Sequence, residues 1–232
     1  MSVARVAEAN VMGPQASPES TDGYFSRRRA DILELVPADA RRILSVGCGA
    51  AVTEAELVKE GRSVVGIELN PGAAAIARRR GLEVFEGDAT ALDKALEGRE
   101  FDCLIYADVL EHIADPVAVA AGHVRRLRAG GTVIISVPNF RCLMVFRQLF
   151  LQGRIQYTDQ GVLDRTHLRL TTRKMVLDWF AELGLTPVSN RYNRGGRLGR
   201  VGFKFLPAFV KEFLATQVVL VARKTVSSPQ PR

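Results

Sequence analysis

The sequence predicts an α/β fold, a mostly parallel sheet linked by right-handed βαβ crossovers with helices on both faces. Three observations carry this expectation. Apolar runs of strand length alternate with segments of helical spacing from about residue 24 to residue 138. Proline opens and glycine closes several of the helical segments. A glycine pair and then two acids stand at the carboxyl ends of successive strands, where open sheets of this kind take up ligands.

Taken in order, residues 1–22 are rich in Ala, Ser, Pro and Glu without sustained periodicity and read as a disordered tail, as does 225–232. From "YFSRRRADILELV" the spacing is helical. "RRILSV" reads as the first strand, "EAELVKEG" as a helix, "RSVVGIEL" as the second strand, and "PGAAAIARRRG" as a helix opened by Pro71 and closed by Gly81. "LEVFEG" and "FDCLIYA" are the third and fourth strands. "PVAVAAGHVRRLRAG" reads as a helix opened by Pro116 and stopped by Gly130 and Gly131, before the strand "GTVIISV". After "SVPN" the alternation breaks. Residues 139–170 form an amphipathic, Phe-rich stretch and a polar loop, an insertion over the working edge of the sheet, because long irregular segments in compact domains are usually functional. The helix "TTRKMVLDWFAELG" follows, then strands at about 185–192 and at "TQVVLVARK". One domain over 23–224 is expected.

Composition narrows the class. With 232 residues, 47% apolar and 25% charged, the chain suits a single core. No apolar run approaches the roughly 18 residues of a membrane span, and the opening lacks the apolar core of a secretion signal, so a cytoplasmic protein is the default expectation. Cys48, Cys103 and Cys142 are odd in number and widely spaced, which fits reduced core thiols and not a disulfide framework or zinc site. The net charge of +7 is uneven: "RYNRGGRLGRVGFK" (191–204) holds five basic residues and no acid, which favours an anionic partner.

"LSVGCGAAVTEAEL" sets Gly47 and Gly49 at a strand-to-helix turn, where missing side chains let the backbone bend and lie close to a ligand. Glu68 ends the second strand, placed to accept hydrogen bonds from ribose hydroxyls, and Asp88 ends the third, placed to accept from an adenine amine. Either acid could instead cap the helix that follows it.

"ILSVGCGAA", "VVGIEL", "EGDA", "FDCLIYADVLEHIADP" and "LRAGGTVIISVPN" together resemble the successive motifs of class I S-adenosylmethionine-dependent methyltransferases, from about Tyr24 to Lys224. The resemblance implies a Rossmann-like seven-stranded sheet in the order 3-2-1-4-5-7-6 with the last strand antiparallel, and S-adenosyl-L-methionine as cofactor. It implies that Gly47, Cys48 and Gly49 face the methionine part, Glu68 and Leu69 the ribose, Asp88 and Ala89 the adenine, and Ala107 and Asp108 the region near the sulfonium. Tyr24 falls where relatives carry a residue near the cofactor carboxylate. The chain departs from the pattern in Ala50 and Ala51, where Thr-Gly or Ser-Gly is usual, and in Ser45, where Asp is common. A nicotinamide-dinucleotide fold would explain the glycine turn but not the later motifs.

For the acceptor, "YTDQGVLDRTHLRLTT" resembles the "LDRTHLRFFT" signature of a bacterial subgroup associated with cell-surface glycan assembly, which implies a sugar or glycolipid acceptor and adds Asp164, Arg165 and His167 to the candidates. If "ADVLEHI" starts a helical turn, Asp108, Glu111 and His112 share a face. With His167 beside them the set resembles the metal-binding pattern of small-RNA 2′-O-methyltransferases. Three readings stand open: acid–base or acceptor-binding work by His112, His167 and Asp108, a structural hydrogen-bonding role, and a divalent-ion site. The first is the working expectation, with no metal ion assigned. His123 reads as a surface or packing residue.

Seven of the eleven phenylalanines fall in two segments, Phe140, Phe146 and Phe150, then Phe203, Phe205, Phe209 and Phe213. Core or homodimer contact is the ordinary reading. Interleaved Arg141, Arg147, Arg154, Arg200 and Lys204 suit an amphipathic surface against anionic lipid or a phosphorylated carrier. The expected function is O-methylation of a sugar hydroxyl or related small polar acceptor in glycan or secondary metabolism. An RNA 2′-O-methyltransferase is the first alternative, against which the chain shows no recognisable RNA-binding module. A non-catalytic cofactor-binding scaffold is the second.

Overall fold

The computed structural model describes residues 28–91, 94–193, 203 and 205–225. Its strands are β1 (Arg42–Val46), β2 (Ser63–Glu68), β3 (Glu83–Glu86), β4 (Phe101–Ala107), β5 (Leu127–Pro138), β6 (Leu185–Asn193) and β7 (Gln217–Lys224). They form one sheet in the order β3-β2-β1-β4-β5-β7-β6. β1 to β5 run parallel, and β7 lies antiparallel to both β5 and β6. The expected order and the reversed last strand are both present.

The central strands are apolar along nearly their whole length because helices cover both sides of the sheet. Alternate residues of a strand point to opposite faces. Leu44 and Val46 of β1 join Leu104 and Tyr106 of β4 in one core, beneath α4 (Pro116–Arg125) and α6 (Arg173–Glu182). Ile43, Cys103 and Ile105 point the other way, against α1 (Ala30–Leu33), α2 (Glu54–Lys59) and α3 (Pro71–Arg79). The three cysteines are free and buried, and burial pushes the Cys103 thiol up to about 12 and raises that of Cys48 as well, so neither of these two is poised for thiol chemistry.

Local chemistry sets the helix starts. The Asn70 side chain accepts from Ala73 N at 3.0 Å ahead of Pro71, the Asp115 side chain accepts from Ala118 N at 3.0 Å ahead of Pro116, and Thr172 Oγ1 accepts from Met175 N at 3.3 Å. Gly81 follows α3 at φ +93°, as expected of a helix stop.

Two expectations need correction. The stretch from Tyr24 to Val36 is not one long helix within the described residues: α1 has four residues and the chain turns ahead of Pro37, which disfavours helical geometry in the residue before it. More instructively, α4 ends at Arg125, so Gly130 and Gly131 do not stop it. Leu127 is buried and paired with Phe101, which draws "LRAGG" into β5. Gly130 at φ +74° makes the irregularity in that strand, and a Cβ on Gly131 would lie 2.6 Å from Leu127 Cδ1. Both glycines are needed, but for a kinked strand. Tyr24, the tail 1–22 and residues 194–202 of the basic run lie outside the described residues, as does 226–232 of the expected C-terminal tail.

Gly66 offers a test of packing between β2 and the glycine turn. A Cβ there would sit 2.7 Å from Cys48 Sγ. Gly66→Ala is expected to destabilise the protein by about 1–3 kcal/mol through overpacking. Adding Cys48→Ala should recover most of that loss in denaturant melts. A double variant no more stable than Gly66→Ala alone would show that the sulfur is not the obstacle.

Candidate active site

The cradle at the carboxyl ends of β1 and β2 is built mostly from backbone. Gly47 and Gly49 hold φ +68° and +54°, and a Cβ on Gly47 would lie 2.8 Å from Val109 Cγ2. The turn is fixed to β2 through Gly47 N, which donates to Ile67 O at 2.8 Å, and through Gly49 N, which donates to Glu68 Oε2 at 2.7 Å. Asn70 N donates to Glu68 Oε1 at 2.8 Å. Burial raises the Glu68 pKa, with the amide donors opposing it, and the second lone pairs of both oxygens remain for hydroxyl donors. Leu69 beside it is 69% exposed, an apolar side chain left on the surface next to the acid. Asp88 is exposed and accepts from Thr90 N at 2.8 Å through one oxygen only, with Ala89 half-buried next to it. Cys48 contributes backbone alone, since its sulfur lies against the Gly66 position inside the core.

Ala51 takes the left-handed conformation, φ +56°, where the resembled pattern has glycine, and a Cβ there costs about 1 kcal/mol. Ser45, which stands where an Asp is common, donates through Oγ to Glu54 Oε1 at 2.7 Å. The acid of this region has thus moved to α2. Glu54 is buried and its pKa is raised by that burial, a feature that spacing along the chain does not reveal.

Ala107 and Asp108 close the end of β4. Asp108 takes φ +58°, and its carboxylate is gripped by three elements: Arg29 Nη1 on one oxygen, and Ser136 Oγ (3.1 Å) and Gln217 Nε2 on the other. Arg29 also forks onto Asp31, with Nε to Oδ1 at 2.9 Å and Nη2 to Oδ2 at 2.8 Å, and Asn193 Nδ2 donates to the same Asp31 Oδ2 at 2.6 Å. Burial would lower the Arg29 pKa, but the two carboxylates outweigh it and the net shift is upward. Asp108 is expected among the catalytic groups by spacing, and the donors on both its oxygens show that it also orders the strand ends. Arg29 lies 79 residues away in sequence, and no local motif marks it as the partner.

Glu111 and His112 belong to a single 3-10 turn, Leu110–His112, and "LDRTHL" does fold back onto it. Leu168 N and Arg169 N donate to Glu111 O at 2.9 and 3.0 Å. The His112 and His167 rings meet edge to face with centroids 4.8 Å apart. His112 Nδ1 lies 3.2 Å from Thr166 O, and His167 Nδ1 lies 3.2 Å from Val162 O. A backbone carbonyl only accepts, so each Nδ1 presents its N–H to the loop and each Nε2 is the ring nitrogen left over. Glu111 is fully buried, and neither carboxylate oxygen has a hydrogen-bond partner. One ligating atom each from Glu111, His112 and His167 lies within 4.8 Å of the others. A carboxyl group and two imidazole rings thus converge there. Burial and then the nearby Asp108 charge push the Glu111 pKa well up, while burial and His112 lower that of His167, which is therefore neutral at neutral pH.

The other candidates fall outside this cluster. Asp164 is buried and orders the loop by accepting from Thr166 N at 2.8 Å and Thr166 Oγ1 at 2.7 Å. Arg165 makes a surface pair with Asp159. His123 is a packing residue, its Nδ1 2.9 Å from the hydroxyl of buried Tyr106.

Strand order, glycine turn and acids at the ends of β2 and β3 define a class I S-adenosylmethionine-dependent methyltransferase fold. The chain belongs to the methyltransferase-domain family, which matches residues 21–190. S-adenosyl-L-methionine is its expected cofactor, and the open turn, the buried Glu68 carboxylate and the free oxygen of Asp88 fit it. A SAM-dependent methyltransferase from Archaeoglobus fulgidus superposes with a TM-score of 0.63 at 16% identity, covering 84% of this chain and 90% of that one. In sequence, the chain is 31% identical over 155 residues to a ubiquinone biosynthesis O-methyltransferase from Xylella fastidiosa, covering 59% of this chain and 58% of that protein. It is also 31% identical over 113 residues to one from Cereibacter sphaeroides, covering 47% and 46%. The chain thus spans about half the length of the curated relatives it matches. No helix among the described residues is long and apolar enough to cross a membrane.

The isolated Glu111 carboxyl gives a test by pH. Its folded pKa lies above the unfolded value of 4.5, so over that interval the native state holds a proton that the unfolded chain has released. Stability conferred by the neutral form is fully present below pH 4.5 and is lost as pH rises through the folded pKa. In chelator, Glu111→Gln should give a flatter melting temperature against pH and a higher melting point than the parent at mildly alkaline pH. Parallel profiles would mean that the carboxyl titrates normally.

Proposed function

We propose that the chain is an O-methyltransferase in which a hydroxyl acceptor is deprotonated at the Glu111–His112–His167 triad. The observation that carries this is the convergence of two imidazole rings and an unpartnered buried carboxyl group at the end of β4, beside the strand ends where the cofactor is expected. The sulfonium methyl of the cofactor is already electrophilic, so what the protein must supply is in-line placement, exclusion of water and removal of the hydroxyl proton. His167 is suited to removing that proton, because it is neutral and its Nδ1–H is pinned to Val162 O. The names of the relatives favour an oxygen acceptor. A sugar hydroxyl or related small polar or glycolipid acceptor is the reading drawn from "LDRTHL".

The orphaned oxygens of Glu111 favour a second reading of the same triad. A buried carboxylate without a donor is costly, and one oxygen with two imidazole nitrogens is a donor set that suits a divalent ion. Glu111, His112 and His167 would hold it, and an ion there would lower the pKa of the acceptor hydroxyl.

Turnover, followed as S-adenosylhomocysteine release over a panel of hydroxylated acceptors, separates the two. His167→Ala should keep cofactor affinity within about twofold by calorimetry and lower kcat by roughly 100-fold or more. Activity that survives chelation together with that loss makes His167 the base. Activity lost on chelation, with about one ion per chain bound by the parent and none by Glu111→Gln, makes the triad an ion site. A His167→Ala variant with full turnover overturns the role given to the triad.

A further inference from the structure

We propose that the insertion after β5 is a docking face for an anionic lipid bilayer, with α5 (Leu143–Phe146), its continuation Arg147–Leu151 and α7 (Ala208–Leu214) lying along the surface. The Phe146 ring stacks on Phe150 at 4.6 Å and meets the edge of Phe213 at 5.7 Å, so two segments far apart in sequence make one apolar patch. Phe150 is 67% exposed, Leu151 74% and Phe209 75%. These are not core positions, which leaves an interaction surface. Large exposed apolar clusters mark interaction surfaces.

The inward sides of both segments are accounted for. Cys142 and Val145 pack on Val162 and Leu163. Glu212 of α7 is turned into the protein, where Arg141 (3.0 Å) and Arg173 (2.9 Å) bind its two oxygens, and Asn139 Nδ2 donates to the Glu212 and Ala215 carbonyls. This fixes the patch as a rigid face.

Charge selects the occupant. Residues 139–158 hold Arg141, Arg147 and Arg154 and no acid, and Arg147 and Arg154 are exposed. A symmetric dimer through this patch would set Arg147 and Arg154 of one copy against the same patch of the other, with no acid in 139–158 to meet them. An anionic bilayer satisfies both features: acyl chains take the aromatic residues and headgroup phosphates take the arginines.

The test is co-sedimentation of the full chain with vesicles of phosphatidylcholine alone or mixed with phosphatidylglycerol. Binding is expected to the mixed vesicles at low salt, weaker at high salt and weakest to phosphatidylcholine. Phe150→Ser with Leu151→Ser should abolish it, and Arg147→Gln with Arg154→Gln should weaken it by about fivefold per arginine, all without a change in melting temperature or in affinity for S-adenosyl-L-methionine. Absence of binding to the anionic vesicles overturns the proposal. So does binding that both double variants retain, which would assign it to charge elsewhere, and so does a dimer in light scattering that Phe150→Ser dissociates.

Discussion

The contact on which the site depends is that between Asp108 and Arg29. A residue at φ +58° at the end of β4 turns the chain sharply away from the strand direction, and an Asp tolerates that conformation better than most residues. Its carboxylate then gathers the segment before α1 through Arg29, β5 through Ser136 and β7 through Gln217. Asp31 and Asn193 extend the same network to the end of β6. Four elements are thereby tied at the carboxyl edge of the sheet, around the position where β4 gives way to the Leu110–His112 turn. Because Asp108 is drawn toward Arg29, Glu111 and His112 are left to face the returning loop.

That loop is held by main-chain hydrogen bonds to the Leu110–His112 turn and by side chains of the candidates themselves, His112 on Thr166 O and His167 on Val162 O. Leu168 and Arg169 donate to the Glu111 carbonyl, and Thr166 braces Asp164. Of the side chains that converge, Glu111 alone has no such duty: its carboxyl oxygens have no hydrogen-bond partner among the described residues. Leaving a buried carboxyl without partners costs roughly 1–3 kcal/mol, which a fold sustains only when other contacts over-determine the position. The backbone bonds to its carbonyl, with the burial of Leu110 beside it, provide that determination.

Much of the cofactor half was legible because it is local. Strand length, a glycine turn and an acid at a strand end are properties of short windows, and Gly47, Gly49, Glu68 and Asp88 stand where those windows put them. The exceptions have non-local causes. Gly130 and Gly131 have the look of a helix stop, but pairing of Leu127 with Phe101 decides the matter across 26 positions. Asp108 has the look of one member of an acid–histidine triplet with i, i+3, i+4 spacing; its ionic partner Arg29 lies 79 residues away. The buried acid that Ser45 meets, Glu54, is likewise not marked as its partner by the pattern around position 45. The meeting of His112 and His167 was visible only as a condition, that the loop return.

The two halves of the site therefore differ in kind. The cofactor half is built from turn geometry and main-chain donors on regular elements, and those elements belong to the fold shared with the Archaeoglobus fulgidus structure at 16% identity. On the acceptor side the elements are irregular: a 3-10 turn, a short helix running into a wider turn, and a loop whose own small core is Cys142, Val145, Val162 and Leu163. Those four residues connect the exposed aromatic face to the strip carrying Asp164 and His167, so any shift of one is felt by the other through close-packed side chains. Fold-level likeness is least informative over the irregular 139–170 segment, and membership of a methyltransferase family fixes the methyl donor without fixing the atom that receives it.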